Sequence, residues 1–218
     1  MPRNFDLLIF DWDGTLMDSA ACIAASLQAA CADLGYARPS ERDARYIIGL
    51  GLNDALAHVL PGVAIAEYPR VVDRYRHHFL QRDAGTALFS GAAEMLQSLR
   101  QAGHVLAVAT GKSRRGLDRA LAATGLAACF QATRCADEGH SKPDPQMLHR
   151  LLEQLQVDPR RALMIGDTTH DMKMALAAGV ARLAVTHGAH EKSALLDYQP
   201  LECVDDCHAL RAWLEANA

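Results

Sequence analysis

Three times along the chain a short apolar run breaks off against a carboxylate, a hydroxyl or a glycine. Leu7-Leu8-Ile9-Phe10 ends at Asp11, His104 to Ala109 ends at Thr110-Gly111, and Ala162-Leu163-Met164-Ile165 ends at Gly166-Asp167. Ala181 to Val185 is a fourth apolar run. Apolar runs this short, without polar alternation, predict strands covered on both faces, as in a parallel sheet. Helical patterns lie between them: Gly91 to Ala102, Ser113 to Thr124, Pro145 to Gln156, Thr169 to Ala178 and Cys207 to Ala216. Three of these stop at a glycine, at Gly103, Gly125 and Gly179, a common helix terminator. Strand and helix in alternation predict an α/β fold with a doubly wound parallel sheet.

Residues 18–86 interrupt that rhythm. Ala20, Ile23, Ala24, Leu27, Cys31 and Leu34 recur in steps of three and four, an amphipathic helix that stops at Gly35. Asn53 to Leu60 and Ala64 to Arg82 read as further helices, separated by Pro61-Gly62. The expected organisation is a Rossmann-like α/β core made of residues 1–17 and 87–218. An all-helical unit, residues 18–86, is inserted just after the first strand.

Charge and cysteine content narrow the class of function. The chain has 218 residues, with 22 basic against 26 acidic ones and a net charge of −4. It has no basic stripe of the kind that nucleic-acid binding requires. No apolar run approaches the roughly 20 residues of a membrane span, and no secretory leader is visible at Met1-Pro2-Arg3. The expectation is a cytoplasmic protein that binds neither nucleic acid nor membrane, as a monomer or homodimer. Cys22, Cys31, Cys129, Cys135, Cys203 and Cys207 form no CxxC pair and read as free thiols.

In open α/β sheets, ligands bind outside the carboxyl ends of the strands. Four segments are expected to meet there: Asp11-Trp12-Asp13-Gly14-Thr15, Thr110-Gly111-Lys112-Ser113, Ser141-Lys142-Pro143-Asp144 and Gly166-Asp167-Thr168-Thr169-His170-Asp171. Carboxylates crowded in this way repel one another unless a cation sits among them. Hard oxygen donors in this number suit Mg²⁺. A carboxylate can attack phosphorus, provided that positive charge offsets its repulsion from the phosphate.

Asp11-Trp12-Asp13-Gly14-Thr15-Leu16, Thr110, Lys142-Pro143 and Gly166-Asp167-x-x-x-Asp171, in that order, resemble the four motifs of the haloacid dehalogenase superfamily. The helical insert and Thr110-Gly111-Lys112-Ser113 resemble its phosphoglycolate phosphatase-like branch, where such an insert forms a cap. The resemblance implies that Asp11 is the nucleophile and a Mg²⁺ ligand. It implies that Asp13 is the general acid/base, with its carbonyl on the metal. Thr110 and the Gly111 N–H would bind phosphate, and Lys142 would neutralise the nucleophile and the phosphoryl oxygens. Asp167 would bind the metal, with Asp171 as a second acidic group beside it. Arg45 and the Gly49-Leu50-Gly51-Leu52 loop would contact substrate from the cap.

The implied reaction is Mg²⁺-dependent hydrolysis of a small phosphorylated metabolite, phosphoglycolate being the first candidate. A phosphomutase of the same superfamily, or a non-catalytic binding protein, is the alternative. The acid at Asp13 favours phosphoryl chemistry over dehalogenation, because a departing halide needs no proton whereas an alkoxide does. Trp12 reads as packing, His170 as the rim of the site, and His77-His78 as solvent-facing.

Overall fold

The computed structural model describes residues 4–218. Met1, Pro2 and Arg3, the start of the expected core segment, lie outside them. The first strand is β1 (Leu7–Phe10), whose four residues are completely buried. The chain then passes through α1 (Ala20–Asp33), α2 (Glu41–Tyr46), α3 (Leu52–Val59) and α4 (Tyr68–Arg82) before α5 (Ala92–Gln101) and β2 (Val105–Thr110). From there strand and helix alternate: α6 (Arg114–Thr124), β3 (Ala132–Cys135), α7 (Gln146–Leu155), β4 (Ala162–Gly166), α8 (Thr169–Ala177), β5 (Ala181–Val185), α9 (Lys192–Leu196), β6 (Cys203–Val204) and α10 (Cys207–Asn217).

Among the described residues the strands form one parallel sheet in the order β3-β2-β1-β4-β5-β6. Leu7 pairs with both Val105 and Ala162, and Phe10 with both Val108 and Ile165. The strand order reverses at β1, which places a crevice at its carboxyl end. Alternate residues feed opposite cores. Leu8, Phe10, Leu106, Val108, Leu163 and Ile165 pack towards α5, α6 and α10. Leu7, Ile9, Ala107, Ala109, Ala162 and Met164 pack towards α7 and α8. This two-sided burial is why the runs are apolar without alternation.

The helices α1 to α4 have apolar clusters of their own. Leu27, Cys31, Ile47, Leu56 and Val71 form one, and Ala20, Ile23, Ile48 and Phe79 another. The chain leaves the sheet and returns to it through neighbouring residues. Met17 forms a bridge with Leu88, and the Asp18 N–H donates to the Ala87 carbonyl at 2.9 Å.

The structure differs from the sequence expectation in several elements. The helix expected over Ala64 to Arg82 is split into a 3₁₀ turn, Ile65–Glu67, and α4, with Pro69 in the first turn of α4. The short α2 had only a local signal: Ser40 caps it by accepting from the Asp43 N–H. The strands β3 and β6 lie at the sheet edges, and neither carries an apolar run long enough to mark it. The free thiols are as expected.

Leu163 lies within β4 and is fully buried, whereas Leu196 is 52% exposed. Leu163→Ala should lower the unfolding free energy by about 2–5 kcal/mol, and Leu196→Ala by less than about 0.5 kcal/mol. Urea denaturation of the two variants checks this ordering.

Candidate active site

β1 delivers Asp11 to the crevice. The Asp11 N–H still donates to the Ile165 carbonyl at 2.9 Å, so its backbone continues the strand while its side chain leaves it. Beyond it the chain makes a tight turn, in which the Leu16 and Met17 N–H groups both donate to the Trp12 carbonyl. Gly14 takes a φ of +83°, and a Cβ there would lie 2.2 Å from an oxygen of Asp167. Only glycine allows the turn to pass so close to that carboxylate. Trp12 is completely buried and meets the Phe130 ring edge-on, as expected of a packing residue.

The remaining segments converge on Asp11. Lys142, 1% exposed, places its Nζ 2.8 Å from Asp11 Oδ1 and 2.6 Å from Asp171 Oδ1. The other oxygen of Asp171 accepts from the Thr168 N–H and hydroxyl, closing a capping box at the start of α8. Asp167 accepts from the Thr15 hydroxyl at 2.7 Å and from the Ala189 N–H at 2.8 Å. Asp11, Asp167 and Asp171 each bring a carboxylate oxygen within 4.8 Å of the others. Thr110, completely buried at the end of β2, accepts the Lys112 N–H on its hydroxyl.

Both carboxylate oxygens of Asp11 are buried and accept no hydrogen bond. Lys142 pairs with one of them in charge but lies off hydrogen-bonding alignment. Three buried carboxylates thus face one buried ammonium. Burial pushes Asp11 up to about 7, with Asp171 and Asp13 adding repulsion and Lys142 opposing. Burial, reinforced by Asp11 and Asp171, also holds Asp167 well above the usual carboxylate range. Burial would lower Lys142, but its two carboxylate partners outweigh it and hold the ammonium charged. An excess of buried negative charge, with open oxygens at its centre, fits a divalent cation.

Two partners of Asp13 escaped the sequence reading. The Lys112 Nζ lies 2.7 and 2.9 Å from the Asp13 carboxylate oxygens, and the Ser19 hydroxyl donates to one of them at 2.7 Å. Ser19 occupies the cap position of α1, but its side chain is turned to Asp13 and caps nothing. The signals available were the lysine in Thr110-Gly111-Lys112 and a hydroxyl at the start of the first inserted helix.

Arg45 is a correction. Its guanidinium pairs with Glu41 one turn earlier on α2, at 3.0 Å, and does not line the cavity beside Asp13. On α2 it is Ala44 that faces inward, so Arg45 points elsewhere; Ile47 and Ile48 reach the cavity instead. His170 is buried, not on a rim: its Nε2 lies 2.7 Å from the Tyr46 carbonyl. His190 accepts the Thr169 N–H on Nδ1, so its Nε2 carries the hydrogen and donates to the same carbonyl at 3.0 Å. Burial lowers both imidazoles, His170 to about 4. His77 is exposed, whereas His78 turns inward to Asp33.

The glycine-flanked loop does reach the core. A Cβ on Gly111 would lie 2.4 Å from the Gly49 carbonyl oxygen, and one on Gly51 would lie 2.9 Å from the Ser141 Cβ.

Residues 8–185 match the family model described as haloacid dehalogenase-like hydrolase. The chain belongs to that family. It stands in the branch that holds the phosphoglycolate phosphatases. It is 35% identical to a probable phosphatase, IndB, of Dickeya dadantii strain 3937, over 91% of this chain and 89% of that protein. It is 31% identical to a phosphoglycolate phosphatase of Agrobacterium fabrum, over 94% of this chain and 90% of that protein. The crystal structure of a hydrolase from Pseudomonas syringae shares the fold, with a TM-score of 0.90 at 20% identity, covering 98% of this chain and 99% of that one. Among the described residues no helix is long and apolar enough to cross a membrane.

The charge excess has a measurable consequence. With divalent ions chelated, Asp11 holds its proton up to about pH 7 in the folded state, against an ordinary value of 3.8. Its stabilising contribution is complete below about pH 4 and is lost as the pH rises towards 7. The loss should be at most about 1.4 kcal/mol per pH unit from this group. The urea midpoint of the chelated protein should fall across that window, and Asp11→Asn should flatten the fall. Identical profiles for the two proteins would contradict the placement of Asp11 in excess negative charge.

Proposed function

We propose that the chain is a Mg²⁺-dependent phosphatase that hydrolyses a small phosphate monoester through a phosphorylated Asp11. The chain is a phosphoric monoester hydrolase in this reading, and its relatives named for phosphoglycolate make that ester the first substrate to test. The observation that carries the reading is the state of Asp11. It is a buried carboxylate at the carboxyl end of the central strand, with both oxygens free of hydrogen bonds and a buried lysine at 2.8 Å. The oxygens of Asp167 and Asp171, by contrast, each accept a hydrogen bond, as buried polar atoms usually do.

Each residue then has a task. An oxygen of Asp11 attacks phosphorus, and the bond to the ester oxygen breaks. Lys142 offsets the charge that gathers between nucleophile and phosphoryl group, and Asp171 holds Lys142 in position. The Thr110 hydroxyl and the Gly111 N–H bind phosphoryl oxygens at the end of β2. Asp13, when protonated, gives its proton to the departing alkoxide. It then takes a proton from the water that attacks the phosphorylated Asp11, which releases phosphate and restores the carboxylate. Asp11, Asp167 and the Asp13 carbonyl would hold Mg²⁺, which supplies positive charge against the phosphoryl oxygens. The helical unit of residues 18–86 acts as the cap, with the Gly49–Gly51 loop closing against Gly111 and Ser141.

Asp11→Asn should lower phosphate release from p-nitrophenyl phosphate by at least about a thousandfold, the scale of losing a nucleophile. Chelation should abolish release and added Mg²⁺ should restore it. A variant retaining a tenth of the wild-type rate, or full activity in excess chelator, overturns the mechanism. Conversion of sugar phosphates without phosphate release would favour the mutase instead.

Asp13→Asn separates acid from base. General acid catalysis is worth about 10²–10⁴-fold, and an aryl oxide departs without it. The variant should therefore lose more activity on alkyl phosphates than in the first turnover of p-nitrophenyl phosphate. It should also accumulate phosphorylated Asp11. Rapid-quench measurement of the burst checks this; equal losses on both substrates with no burst remove Asp13 from that role.

A further inference from the structure

Beyond Asp13 lies a cavity of about 460 Å³ between α1, α3, α4 and the start of α6. Its two ends differ in chemistry. Near the core it is lined by Asp13, Gly111 and Lys112. Towards the cap its wall holds Ile23 and Leu27 of α1, Ile48 and Leu56 near or on α3, and Phe79 of α4, with Asp73, Arg76 and His77 of α4 also on the lining. The Lys112 ammonium stands 5.0 Å from the centre of the Phe79 ring, so the polar end passes directly into the apolar one. The cavity lies beneath a cap already seated on the core, since the Gly49 carbonyl occupies the space a side chain on Gly111 would need. The volume therefore lies between cap and core, and its lining includes the exposed residues Arg76, His77 and Leu80.

We propose that the preferred substrate is a phosphate monoester whose leaving group has an apolar body of about six or more carbon atoms, an alkyl or aryl alcohol, seated against Ile23, Leu27, Ile48, Leu56 and Phe79. The inference rests on the phosphatase reading and specifies its substrate class. A two-carbon acid such as glycolate is small against a cavity of about 460 Å³ and leaves most of it to water. Pockets of about 300–1,000 Å³ with apolar walls and a few polar groups at one end hold drug-sized ligands. Here the polar groups at the near end are those assigned to the phosphoryl group and to the leaving oxygen. Beyond them the lining is mixed, but more of its surface is apolar than polar, and that apolar part selects by burial and not by hydrogen bonding.

The test is a series of n-alkyl phosphates from methyl to octyl, with 2-phenylethyl phosphate and phosphoglycolate alongside. The n-alkyl alcohols leave with closely similar ease, so differences in kcat/KM along that series report binding of the alkyl body. The expected result is a rise of roughly three- to fourfold per methylene while the cavity fills, and a rate on 2-phenylethyl phosphate at least about a hundredfold above methyl phosphate. Ile23→Phe, which fills the cavity from α1, should cut the ratio of 2-phenylethyl to methyl turnover at least about tenfold. Should that variant not fold by circular dichroism, Leu56→Phe makes the same comparison from α3. A flat series, or phosphoglycolate preferred over every apolar ester, overturns the proposal.

A second arm separates this inference from the reaction itself. Calorimetric titration of the wild-type protein with 2-phenylethylphosphonate and with methylphosphonate, in Mg²⁺, reads the cavity without turnover. Tighter binding of the phenylethyl compound by at least about thirtyfold supports the proposal even if no ester is hydrolysed, an outcome in which the phosphatase reading alone would fall. Equal binding of the two phosphonates overturns the apolar occupant whatever the activity.

Discussion

Lys142 is a fully buried ammonium held between Asp11 and Asp171, and the rest of the site is arranged around it. Neither its burial nor that of the carboxylates is favourable alone, since removing an ion from water costs several kcal/mol even after relaxation. The ammonium is held because a carboxylate stands on either side of it, while the carboxylates remain in excess over it. The geometry also divides the two carboxylates. Asp171 has both oxygens engaged, by Lys142 and by the start of α8, whereas Asp11 has neither in a hydrogen bond. One carboxylate holds the lysine and the other remains available to react. The sheet makes this possible by bringing Asp11 and Asp167 together from the adjacent strands β1 and β4.

The parts of this arrangement that were legible in the sequence share one cause. Strands buried on both faces are written as apolar runs, and the residue at the carboxyl end of such a run lies at the crevice. Asp11, Thr110 and Asp167 were therefore placed by their position alone. Lys142 and Asp171 stand directly after no strand; their motifs had to supply them, and the structure brings both to Asp11. Edge strands carry no such signature. Ala132-Thr133-Arg134-Cys135 is half polar because one side of β3 has no neighbouring strand.

The features that were not legible depend on packing between distant segments. Nothing local announces that Lys112 turns to Asp13, or that Ser19 gives up capping α1 in order to do the same. Arg45 shows the opposite case. A residue placed by family resemblance is half-buried on its helix, where Glu41 one turn away takes its charge. The cap-side residues that do reach the cavity include apolar ones that in sequence are indistinguishable from the core of the helical unit, beside Asp73, Arg76 and His77 of α4. Ile23 and Leu27 serve as both.

The position of Ser19 joins two parts of the molecule that are otherwise described separately. It is the first residue of the inserted helices, beside the paired strands through which the chain leaves and re-enters the sheet, and its hydroxyl grips Asp13. The start of the inserted helices is thus tied to Asp13 where the chain leaves the sheet. Phe79, on α4, which packs along α1, stands beside Lys112, the other group holding Asp13. Lys112 itself lies in the core between β2 and α6, so of the two groups on Asp13 one comes from the core and one from the start of the inserted helices. The carboxylate of Asp13 is thereby positioned by both units of the chain at once.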